Sequence, residues 1–197
     1  MKITTSIRMT IVLVGVVIPL MEAHAASLAP ESQLSFQGTS NVHSYSVRAT
    51  TLQSNILFAS GKKAIKTFEL IIPVDQLTSG KANLDKKMYR ALKGDQSPQI
   101  VFKLQKYGPC SQNGTAPDTH VCAQGELSLA GVTRPITLEA NLEWSQDRLV
   151  IEGSKEIVMT DFGIDPPTAM LGMLTTHPQV DVQFLLIIHL LPERSSP

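Results

Sequence analysis

Apolar and polar residues alternate with a period of two along most of this chain, and that pattern confines it to β-sheet structure. Successive side chains of a strand point to opposite faces, so a strand with one face in a core carries an apolar residue at every second position. Leu34, Phe36 and Gly38 follow this rule, and Val47, Ala49 and Thr51 open a longer segment that ends near Phe58. Phe68, Leu70, Ile72 and Val74 share one face of the next segment, and Ile100, Phe102 and Leu104 share one face of another. Glu126 to Ala130 alternates into a turn expected over Gly131 to Pro135, after which Ile136, Leu138, Ala140, Leu142 and Trp144 alternate strictly. Ser145 to Arg148 reads as a turn, Leu149 to Met159 as a strand, and Val180, Val182, Phe184, Leu186 and Ile188 close the series. Neither an internal repeat nor a domain linker interrupts it.

One segment has a different period. Leu84, Met88 and Leu92 recur at i, i+4 and i+8 between Lys81 and Leu92, opposite Lys86, Lys87 and Arg90, which is the signature of an amphipathic helix of about three turns. Its apolar stripe is suited either to the mouth of a barrel or to the outside of a sheet. The pattern as a whole predicts an all-β chain: an eight-stranded antiparallel β-barrel with one short α-helix. Closure of the sheet removes the exposed edges that invite aggregation. A barrel of about eight strands is wide enough either to be filled by its own side chains or to hold one slim ligand, and alternation alone leaves both interiors open.

The chain opens with Lys2 and Arg8, then the apolar run Met9 to Leu20, then Ala23-His24-Ala25. This is the order of a secretory signal, with cleavage expected before Ala26; the run is shorter than the about 20 residues of a membrane span. Residues 1–25 are therefore expected to be a signal peptide, 26–197 one exported domain, and the compartment periplasmic, with no stable membrane span after cleavage. Lys and Arg number 17, as do Asp and Glu. That balance excludes the basic footprint of a nucleic-acid binder. Cys110 and Cys122, the two cysteines, flank a stretch of turn formers, and in an exported chain this spacing predicts a disulfide.

Four short elements resemble, in order, those of the YceI-like family. Gly125-Glu126-Leu127-Ser128-Leu129-Ala130-Gly131-Val132-Thr133-Arg134-Pro135-Ile136-Thr137-Leu138 resembles its "G-x-L-x-x-x-G-V-T-[RK]-P-V-x-L" hairpin. Ser40-Asn41-Val42-His43-Ser44 resembles an early "HS" element. Gly80 to Pro98, followed by Gln99-Ile100-Val101-Phe102, resembles a helix and "P-x-I-x-F". Asp161-Phe162-Gly163-Ile164 resembles a late "D-[FY]-G-I". The resemblance spans about Leu34 to Leu190 and implies a lipocalin-like barrel with an apolar tunnel, exported in many bacteria, in a family whose members bind polyisoprenoids, quinone tails among them. The chain departs from the family where Leu34 to Thr39 replaces a Trp-x-Asp element, and where Asp85 stands without the Arg of an Arg-Asp pair.

The resemblance makes a carrier of a polyisoprenoid or similar long apolar lipid the expected function, with no cofactor beyond an isoprenoid quinone or polyprenyl lipid as ligand. The alternative is an exported stress-related or protein-partner binding module with a solid barrel interior. The residues expected to touch the ligand are Phe68, Leu70, Ile72, Ile100, Phe102, Leu104, Ile136, Leu138, Leu142, Val182 and Phe184 from the strands, Leu84, Met88 and Leu92 from the helix, and His43 at the rim. A histidine in such a place more often ties down a turn. Asp161 is expected to pair with a backbone amide or with Arg134. Met159, Met170 and Met173 surround a late loop that reads either as a flexible gate or as a cap. Phe184 to Ile188 is apolar on both faces, which suits a core strand or a homodimer interface. No Gly-x-Ser-x-Gly elbow occurs, and His24, His43, His120, His177 and His189 lack metal-ligand spacing. The chain is accordingly expected not to be an enzyme and to hold no metal.

Overall fold

The computed structural model describes residues 24–59, 64–110, 119–169 and 173–190. Among these residues twelve strands and one α-helix follow one another: β1 (His24–Leu28), β2 (Gln33–Ser40), β3 (Ser44–Ala49), β4 (Gln53–Phe58), β5 (Ile65–Pro73), β6 (Leu77–Thr78), α1 (Ala82–Ala91), β7 (Gln99–Pro109), β8 (His120–Leu129), β9 (Val132–Trp144), β10 (Arg148–Val158), β11 (Thr168–Ala169) and β12 (Leu174–His189). Hydrogen-bonded neighbours run β1-β4-β5-β7-β8-β9-β10-β12, and β12 pairs back to β1, which closes a ring of eight. β2 continues β1 and pairs with β12 and β3, while β6 continues β5 and pairs with β3. The protein is thus a closed eight-stranded antiparallel barrel in which some strands are broken by kinks. The predicted helix is present and caps one end.

The kinks have local causes. Thr50 and Thr51 are drawn onto Gln76: the Thr50 amide and hydroxyl donate to its carbonyl, and both threonine hydroxyls donate to its side-chain oxygen. The break between β3 and β4 reverses the alternation, so Val47 faces inward before it and Ile56 and Phe58 after it. Thr51, which the sequence pattern groups with Val47 and Ala49, is exposed. The β8–β9 hairpin also differs from expectation. Its turn is Ala130-Gly131, with φ of 50° and 83°, the left-handed pair that a tight two-residue hairpin requires. Val132 to Pro135 already belongs to β9.

The end opposite α1 is plugged. Phe58 of β4 and Trp144 of β9 stand on diametrically opposed staves of the ring, and their rings meet edge to face at 5.7 Å. Leu149 and Ile188, both without solvent exposure, pack beside them. This floor is the solid part of the core. Cys110 and Cys122 are joined near the same end, with Cα atoms 4.7 Å apart; a bridge over a loop of this length contributes about 3 kcal/mol. Of the expected signal segment, residues 1–23 lie outside the described residues, while His24 and Ala25 pair with Phe58 and Leu57.

Candidate functional site

Above the floor the barrel is hollow. A channel of about 280 Å³ runs up its axis, walled almost entirely by carbon. On β12 its lining runs from Thr176 to Leu186. Allowing for the bulge near Thr176, strand rise and tilt make this a depth of roughly 20 Å. Three aromatic rings help to keep the lumen open. Tyr45 lies over Gly38, Phe102 over Gly125 and Phe184 over Gly153, each so close that a Cβ on the glycine would fall under 3.0 Å from the ring. A ring laid against a wall position without a side chain occupies that gap and leaves the axis clear.

The predicted strand faces converge on this channel. Phe68, Leu70 and Ile72 of β5, Ile100, Phe102 and Leu104 of β7, Ile136, Leu138 and Leu142 of β9, and Val182 and Phe184 of β12 all line it. Leu84 and Met88 line it from α1 and Leu92 from its C-terminal cap, so the helix closes the mouth and does not dock on the outer sheet. His43 lies on the rim and is exposed; the turn that carries it is held by Ser40, whose hydroxyl donates to the His43 carbonyl at 2.7 Å and accepts from its amide at 3.1 Å. Among the late-loop residues, Met159, Ile164 and Pro167 line the channel, Met173 is exposed, and Met170 lies outside the described residues. On β12, Leu186 and Ile188 point inward while Leu185 and Ile187 form the half-buried outer face.

Other wall residues escape a simple alternation rule. Tyr107 and Ile65 line the lower channel, and the Ile65 amide donates to the Tyr107 hydroxyl at 3.0 Å. Both follow a phase change: a bulge between Leu104 and Lys106 turns Tyr107 inward, and another opposite Leu57 and Phe58 does the same for Ile65. Tyr45 also faces the channel, and burial raises its phenol above the ordinary value. Ile151, Lys155 and Ile157 of β10 complete the wall. In that strand Gly153 and Lys155 interrupt the apolar alternation.

The lid is held by specific polar contacts. One Asp85 carboxylate oxygen accepts from the Ser79 amide at 2.7 Å and from the Ser79 hydroxyl, and the other accepts from the Thr78 hydroxyl at 2.9 Å. The Ser79 hydrogen bond is the main reason this carboxyl sits below the usual aspartate value. Asp85 therefore ties α1 to the end of β6 without an arginine partner. Across the late loop, Arg134 Nε donates to the backbone carbonyl of Asp161. The expected pairing of these two residues thus runs through the main chain, and the Asp161 side chain is not part of it.

A family model for the YceI-like domain matches residues 28–187. The chain belongs to the YceI-like family. No curated protein matches it. The barrel resembles the polyisoprenoid binding domain from Saccharophagus degradans implicated in plant cell wall breakdown, with 20% identity, a TM-score of 0.66, and coverage of 84% of this chain and 98% of that one. It also resembles BcnA of Burkholderia cenocepacia, at 15% identity and a TM-score of 0.64 over 80% of this chain and 96% of the other. A Campylobacter jejuni YceI protein matches at 14% identity and a TM-score of 0.60, covering 74% and 84%. At these identities the likeness establishes the YceI-like barrel and nothing finer.

Proposed function

We propose that this YceI-like protein binds one long apolar chain, of the polyisoprenoid class with a quinone tail as one example, inside its barrel and shields it from water in the periplasm. The observation that carries this reading is the open, carbon-walled channel between a plugged floor and a helical lid. Micromolar affinity corresponds to about 8 kcal/mol, which about 330 Å² of buried apolar surface supplies at about 25 cal/mol per Å² before the costs of immobilisation. A tail that fills such a channel meets that requirement without bond chemistry, so the reading is of a carrier or reservoir and not an enzyme. The polyisoprenoid binding of the Saccharophagus domain agrees with it. The Cys110–Cys122 bridge agrees with an oxidising compartment, and no helix among the described residues is long and apolar enough to cross a membrane. A solid interior, the basis of the alternative partner-binding module, is at odds with the channel.

Native mass spectrometry of protein purified from cells without detergent tests this reading. The expected result is an adduct with the mass of an isoprenoid lipid, or stoichiometric uptake of a polyprenyl alcohol by the stripped protein. A clean polypeptide mass together with no uptake overturns it.

A further inference from the structure

The barrel wall is not continuous. β9 and β10 pair only from Leu149↔Trp144 to Ser154↔Glu139. Beyond that point Val132 to Leu138 of β9 pairs with β8 alone, and Lys155 to Val158 of β10 pairs with β12 alone. Pro135, which has no N–H to give to a ladder, lies in the half of β9 that β10 leaves unpaired. The cleft is bounded above by the contact from Arg134 to the Asp161 carbonyl and below by the last ladder pair.

Lys155 stands at this boundary. Ile151, Gly153, Lys155 and Ile157 share the inward face of β10, so the register aims Lys155 at the lumen. It lines the apolar channel and also the polar hollow on the outer wall, where Glu139, Glu152 and Glu156 lie. Among the described residues it is the one Lys or Arg in the channel lining. None of those carboxylates reaches it within ion-pair distance, and among the described residues it makes neither a salt bridge nor a side-chain hydrogen bond. A cation at the edge of a greasy cavity contributes nothing to tail binding and costs desolvation as the cavity fills. An oxyanion at the end of the tail would reverse that cost by a charge-assisted hydrogen bond.

We propose that Lys155 receives the terminal oxyanion, a phosphate monoester or a carboxylate, of the single-chain lipid whose tail occupies the channel. This inference rests on the channel reading above and adds the chemistry of the head group. The cleft between β9 and β10 lets the head group stay hydrated on its outer side while the tail lies among Ile136, Leu138 and Ile157.

The test compares geranylgeranyl phosphate with geranylgeraniol, two probes with the same tail, by calorimetric titration of stripped wild-type protein, Lys155→Met and Lys155→Arg. Wild type is expected to bind the phosphate about tenfold more tightly than the alcohol, the yield of one charge-assisted hydrogen bond at a partly exposed site. Lys155→Met, read as the ratio of the two affinities in the same variant, should lose that preference, and Lys155→Arg should retain it. Equal binding of the two probes by wild type, or a preference that survives Lys155→Met, overturns the assignment while the channel reading stands. Failure of wild type to bind either probe sinks the channel reading and this assignment with it.

Discussion

Filling the channel with protein is the sharpest test of its emptiness. Ala123 of β8 pairs with Tyr107 of β7 and Leu138 of β9, lines the lumen, and is only half-buried although it faces inward. Ala123→Phe would project a ring into the channel. The ring adds roughly 100 Å² of buried apolar surface, worth about 2.5 kcal/mol at 25 cal/mol per Å². In a close-packed core the same change costs about 1–3 kcal/mol through strain, so the sign of the effect reports whether space exists. With an open lumen the stripped variant should be more stable by about 1–2 kcal/mol, a rise in Tm of about 2–8 °C for a domain of this size. Uptake of a polyprenyl alcohol should fall at least tenfold, because ring and tail compete for one volume. Urea or thermal melts and a binding titration on the same preparation read both effects. A Tm that falls by several degrees, or uptake that is unchanged in a folded variant, would refute the argument that the lumen is a binding void.

Two further outcomes follow from named contacts. Gly153→Val should destabilise the barrel by about 2–3 kcal/mol and weaken uptake, since any Cβ there falls under 3.0 Å from the Glu139 carbonyl and the Phe184 ring; an unchanged melt would show that the ring does not need the glycine. Asp85→Asn should loosen α1 and raise amide exchange in Ala82–Ala91. Because the folded Asp85 carboxyl lies below its ordinary value of 3.8, its contribution is present above that value and is lost as pH falls through the lower folded one. The stability gap between wild type and Asp85→Asn should therefore close in strong acid, and a gap independent of pH would refute the clamp.

The barrel was legible because its inward faces carry long runs of strict alternation: five positions from Ile136 to Trp144 suffice to orient β9, and the i, i+4, i+8 spacing of Leu84, Met88 and Leu92 locates the lid. The faces so read converge on one channel. What alternation could not carry was any residue beyond a change of phase. Tyr107, Ile65 and the β3–β4 kink lie past a bulge or a bend created by pairing with a neighbouring strand, and such pairing is non-local. Nor does period-two reading distinguish a filled barrel from a hollow one. That difference depends on where small residues fall on the strands beside large ones: Gly38, Gly125 and Gly153 read as weak spots in isolated strands, yet in the sheet each lies under an aromatic ring and keeps it off the axis.

Lys155 was hidden for a related reason. Taken alone, a Lys in Glu152-Gly153-Ser154-Lys155-Glu156 looks like one of the solvated charges of an outer face. Only the pairing of Gly153 with Ala140 and Phe184 fixes the parity of β10 and turns Lys155 inward. The β9–β10 ladder ends one residue earlier, at Ser154, and the cleft opens at the level of that charge. A cation aimed into the lumen and a gap in the wall beside it thus meet at one level of β10, and the assignment proposed above puts the polar end of a bound lipid there, at the side of the barrel and below the helical lid.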